Sequence, residues 1–162
     1  MKKCAAALAL ALTAAALAGC ETIGRGGGDR GAISVTRNHL GQPIAGGEIR
    51  VEPGSAAAGE PAFAQLIAPV ERELTRLGWT LARGNAASEQ VAVVNIVPGA
   101  GTTELRVRIQ RRSDGSGIWE GRALGPAPSG TAYPERAALI DRLASALFQD
   151  FPGESGRTIR VR

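Results

Sequence analysis

The spacing of apolar positions changes several times along this chain, and each change marks an element. Residues 32–37 (AISVTR) form a short β-like run, residues 38–47 read as loop, and residues 48–52 (EIRVE) alternate up to the turn signal Pro53-Gly54. The period then lengthens. Phe63, Leu66, Ile67, Val70, Leu74 and Leu77 fall on one helical stripe, with Glu71, Arg72, Glu73 and Arg76 on the other side and Gly78 just past its end. Pro69 removes one hydrogen bond within that stripe and crowds the carbonyl four residues back, which predicts a kink, or a regular helix that begins near Ile67. Residues 90–97 (QVAVVNIV) are apolar on both faces apart from Asn95, as an internal strand requires. Leu139, Ile140, Leu143, Leu147 and Phe151 make a second helical stripe, opened near Pro134 and closed at Pro152-Gly153. Residues 157–162 (RTIRVR) alternate once more, an edge strand whose arginines oppose aggregation.

The clearest strand, residues 104–112, also yields a register. Leu105, Val107 and Ile109 point one way and Arg106, Arg108 and Gln110 the other. A two-residue Asp-Gly loop would set Ile109 against Glu120. A three-residue loop, Ser113 to Gly115 with Gly115 left-handed, sets Ile109 against Trp119, Leu105 against Ala123, Arg108 against Glu120 and Arg106 against Arg122. Facing residues of an antiparallel pair share a side of the sheet, so only the second register separates apolar from polar. The element order predicts an α+β fold: a two-layer sandwich, with a mainly antiparallel sheet and two helices packed on one face.

The first residues obey a different logic. Met1-Lys2-Lys3 is basic, residues 4–18 are uncharged and rich in Ala and Leu, and Ala18 and Gly19 are small: the three parts of a signal peptide. Leu17-Ala18-Gly19-Cys20 resembles the lipobox of bacterial lipoproteins, which implies cleavage before Cys20 and a diacylglycerol on its thiol. Three regions follow from this: a signal peptide over 1–19, a lipidated Cys20 with a Gly-rich flexible tether over 20–31, and a single α+β domain over 32–162. The eleven residues from Glu21 to Gly31 would span about 18 Å as a Gly-rich coil. Glu21, in place of the aspartate that retains enterobacterial lipoproteins at the inner membrane, implies an outer-membrane protein facing the periplasm.

Composition then narrows the chemistry. Once Lys2 and Lys3 leave with the leader, the formal charge falls from +4 to +2, too little to suggest nucleic-acid binding. With Cys4 removed and Cys20 lipidated, no thiol remains for a disulfide or a metal. One histidine, His39, does not make a zinc site, and with no G-x-S-x-G it does not make a hydrolase with Ser34. No catalytic residue, metal or cofactor is expected. The candidate site is instead the face carrying Arg106, Arg108 and Arg122, where two arginines opposite one another call for a nearby anion.

A lipobox followed by VERELTRLGW (70–79), VAVV (91–94), IWEGRA (118–123) and LFQDFPGESG (147–156) resembles the bacterial envelope lipoproteins grouped as domain of unknown function 4136. The resemblance covers residues 33–161. It implies an α+β envelope lipoprotein and brings no catalytic residue with it. The expectation is therefore a lipid-anchored cell-envelope protein, non-enzymatic, that binds another envelope component. Its partners would be a membrane, through the lipid on Cys20, and an envelope protein or an anionic glycan or lipid. A hydrolase acting on cell wall or lipid, or a structural accessory subunit of an envelope assembly, are the alternatives.

Overall fold

The computed structural model describes residues 31–55, 62–84, 87–127 and 133–162. The signal peptide, Cys20 and the tether up to residue 30 lie outside the described residues. The chain folds as an α+β protein in the order β1 (Ile33–His39), β2 (Glu48–Pro53), α1 (Phe63–Leu66), α2 (Ala68–Arg76), β3 (Thr80–Leu81), β4 (Gln90–Gly99), β5 (Thr102–Arg111), β6 (Gly117–Pro126), α3 (Tyr133–Phe148) and β7 (Thr158–Val161). One seven-stranded sheet has the order β3-β2-β4-β5-β6-β1-β7.

The sheet is mixed rather than uniformly antiparallel. β4, β5, β6, β1 and β7 pair antiparallel in succession. β2 runs parallel to both β3 and β4. Parallel neighbours need a long crossover, and α1 and α2 supply it between β2 and β3. The first helical stripe is broken, not bent. α1 stops at Leu66, Ile67 serves as the end of one helix and the start of the next, and Pro69 sits in the first turn of α2, where its missing N–H costs nothing.

The hairpin of β5 and β6 keeps the expected pairs Ile109 with Trp119, Arg108 with Glu120, Arg106 with Arg122 and Leu105 with Ala123. The turn that produces them differs. β5 ends at Arg111, whose N–H donates to Ser116 O at 3.0 Å, so four residues form the turn, and a bulge past Ile109 restores the register. Gly115 is left-handed, φ 69°, as expected. The Asp114 carboxylate accepts the Ser116 N–H, which holds its pKa below the usual carboxylate range.

Ile33, Val35, Ile49, Ala92, Val94, Leu105, Val107, Ile109, Trp119 and Ala123 share one side of the sheet by register, and all are buried. They form one apolar cluster with Leu66, Ile67, Val70 and Leu74 of the first helical segment and Leu139, Ile140, Leu143, Leu147 and Phe148 of α3. α3 ends at Phe148, earlier than the Pro152-Gly153 signal suggested. Asp150 turns left-handed at φ 53°, which sends Phe151 back into an aromatic group. Its ring centroid lies 5.2 Å from Trp119 and 5.4 Å from Trp79, and Trp119 stacks on Phe148 at 5.5 Å.

Candidate functional site

The arginine face is built by the pleat of β5 and β6. On the side away from the apolar cluster, β5 carries Glu104, Arg106, Arg108 and Gln110, and β6 carries Glu120, Arg122 and Leu124. Arg106 and Arg122 face each other, and the anion they require is already present. Glu104 bonds Arg106 through both carboxylate oxygens and takes Arg122 Nε at 2.9 Å on Oε1. The Glu104 side chain is only 15% exposed, against 43% and 50% for the two arginines. The hydrogen bond that Arg106 donates to Glu104, and the charge of that carboxylate, push the Arg106 pKa up. One carboxylate against two guanidiniums leaves this group with one net positive charge. Further along the same face, Glu52 takes Arg112 Nη2 at 2.6 Å.

Towards the hairpin the carboxylates lie near the arginines without bonding them: Glu120 faces Arg108 across the strands, and Asp114 lies in the field of Arg111. Arg108 donates to Gly115 O at 3.4 Å and Arg111 to Ser116 Oγ at 2.9 Å, both uncharged oxygens. Close by lies a groove of about 660 Å³ between residues 40–45, the start of β4 and the hairpin. Leu40, Pro43, Ile44 and Ile118 give it an apolar wall, and Arg111, Arg112 and Glu89 a charged one. Leu40 is 85% exposed.

His39 is the last residue of β1 rather than a loop residue. Its Nε2–H donates to Gly153 O at 2.9 Å, and Nδ1 accepts the Gly41 N–H at 3.0 Å. Both ring nitrogens are therefore engaged, Nε2 in holding the chain past α3 against β1 and Nδ1 in fixing the turn that follows β1. His39 N–H donates to Ser155 Oγ at 2.9 Å, and that hydroxyl donates in turn to His39 O.

Arg37, which nothing in the sequence reading singled out, is buried at 3% exposure on the apolar side of β1. Its guanidinium donates to Leu147 O at 2.9 Å, Ala146 O at 3.0 Å and Gln149 O at 2.8 Å. Carbonyls at a helix end have no partner within the helix and carry partial negative charge, so a cation is well placed there. Burial lowers the Arg37 pKa and the charge of Asp150 raises it. The signal was present: Arg37 has the same strand parity as Ile33 and Val35.

The distinctive sequence motifs meet in this region. Gly121 of IWEGRA lies under Trp119, and a Cβ there would come within 2.1 Å of the indole. Trp119 Nε1 donates to Pro152 O at 3.0 Å, and Gly153, φ 76°, leaves room for Arg37. Trp-x-Gly and Phe-Pro-Gly are thus two halves of one packing unit.

No family model matches this chain. Over 60 residues, 37% of the chain, it is 45% identical to an uncharacterized protein of Zymomonas mobilis, of which the match spans 23%. Among solved structures it is similar to a dodecameric PelC variant from Paraburkholderia phytofirmans, at TM-score 0.49 and 14% identity over 70% of this chain and 93% of that one. It is also similar to protein XCC0632 from Xanthomonas campestris, at TM-score 0.42 and 13% identity over 71% and 86% of the two chains. Among the described residues no helix is long and apolar enough to cross a membrane, and no group of three or more His, Cys, Asp or Glu is placed to hold a metal.

Proposed function

We propose that this chain is a lipid-anchored protein of the bacterial cell envelope, held at the outer membrane facing the periplasm and acting by binding another envelope component rather than by catalysis. The observation that carries the reading is Leu17-Ala18-Gly19-Cys20 at the end of a basic-then-apolar leader. Two features of the folded part agree with it. The side chains with chemical potential near β1, His39 and Ser155, are engaged in holding the chain end. The architecture reads as a two-layer sandwich whose helices cover one side of the sheet, leaving the side with Arg106, Arg108 and Arg122 for contact. Glu104 cancels one of the two charges of the Arg106–Arg122 pair, so an envelope protein or an anionic glycan or lipid would meet the remaining charge together with Arg108 on this side, while Arg111, on the other side of the sheet, lines the groove at Leu40. The kinship with the 4136 lipoproteins belongs to the same proposal.

The test is metabolic labelling with a fatty acid in cells that express the wild-type chain or Cys20→Ser. Label on the wild type alone, with the variant released from the membrane fraction, is the expected result. Label retained on the serine variant would remove the anchor from the account.

A further inference from the structure

A second hollow, of about 520 Å³, lies where the domain meets its tether. Gly31 and Ile33 line it together with Arg76, Arg142, Gln149 and Arg162. Within this wall Glu73 and Arg76 form an ion pair whose charges cancel. Glu73 accepts from Arg76 Nε at 2.8 Å and from Ser145 Oγ at 3.3 Å. Asp150 lies in the field of the buried Arg37 guanidinium. Arg142 is exposed and brings an additional positive charge. The position of Gly31 gives this charge a direction. On the proposed anchor, Cys20 lies eleven residues upstream, a distance of about 18 Å for a Gly-rich coil. β1 then carries the chain away from that point, and its seven residues put Leu40 and the larger groove roughly 20 Å further on.

We infer that the hollow beside Gly31 rests on the leaflet that holds the lipid and receives the phosphate of an anionic headgroup at Arg142, since Arg76 is paired with Glu73. The domain then stands with its Leu40 end away from the membrane. Cations are attracted to an anionic leaflet within a Debye length, about 8–10 Å at physiological salt, and a tether of about 18 Å is short enough to let this end come that close. The inference rests on the lipid-anchor reading, and its test separates the two.

The mature lipidated chain is placed in nanodiscs of phosphatidylcholine alone or with phosphatidylglycerol, each containing lipids with a nitroxide on the headgroup. A fluorophore is attached at Gln149→Cys beside the hollow or, in a second protein, at Leu40→Cys. The expected result is strong quenching at position 149 in the anionic discs, weak quenching at position 40, and a fall at position 149 to the phosphatidylcholine level when Arg142→Glu is added. Inorganic phosphate at millimolar concentration leaves the quenching in place if the ligand is the headgroup. If it abolishes the quenching, the hollow is a site for free phosphate and the inference is overturned. Equal quenching at the two positions, or no response to Arg142→Glu in a chain with an unchanged melting temperature, also overturns it. A chain that does not associate with the discs at all removes the anchor itself. Association without quenching at position 149 removes only the orientation.

Discussion

Two arginine sites in this protein, Arg37 and the Arg106–Arg122 pair, look alike in the sequence and differ in burial and in partners. Arg37 is buried and spends its donors on three carbonyls at the end of α3. Arg106 and Arg122 are about half exposed and share one carboxylate, Glu104. Two of the three bonds in the first arrangement are buried, so removing the cation leaves desolvated carbonyls behind. The second is bathed in solvent that screens its charges and substitutes for them. An arginine on a sheet therefore reports on function only after its side of the sheet and its counter-ion are known. By that standard the inner arginine serves the fold, and the outer pair is half neutralised by Glu104.

The largest effect expected on the inner side is at its aromatic centre. Trp119→Ala removes a ring stacked on Phe148 and bonded to Pro152 O, and should lower stability by ~3–5 kcal/mol in urea unfolding. An unchanged midpoint would mean that the apolar side of the sheet is assigned backwards. Gly121→Ala comes next. Its new methyl would overlap the indole of Trp119 and Leu147 Cδ1, so a loss of about 1–3 kcal/mol is expected from overpacking. If the variant is as stable as the wild type, Trp-x-Gly has another purpose than making room for the ring. On the outer side, Arg106→Gln combined with Arg122→Gln should change stability by no more than ~1 kcal/mol, because exposed ion pairs contribute little. A large loss there would show that something in the folded molecule covers this face.

How far the sequence could see depended on whether side-chain alternation or loop geometry decided the outcome. The β5–β6 register was legible because a one-residue slip would have turned every apolar residue outward. The bulge and four-residue turn that deliver it leave no mark in that pattern. The parallel placement of β2 was hidden for a related reason: strand direction is set by the crossover through α1 and α2, not by the strand's own residues. Glu104 is readable as a counter-ion of Arg106, since it lies two residues before it on the same face, but its bond to Arg122 runs diagonally across the strand pair and does not follow from directly facing positions. Arg37 was readable too, as a charge at an apolar parity. Its partners were not, because they are backbone carbonyls some 110 residues away in the chain. The groove at Leu40 depends on the path of residues 40–45, for which periodicity offers no rule.

The contrast between the two sites is tested most directly by urea unfolding of two variants of the same chain, Arg37→Met and the Arg106→Gln/Arg122→Gln double change. The account predicts a loss of about 3 kcal/mol or more for Arg37→Met, from carbonyls left without donors at the end of α3, and a loss within ~1 kcal/mol for the double variant. Equal losses, or a larger loss from the outer pair, would contradict it and would place the structural role of arginine on the face assigned here to contact.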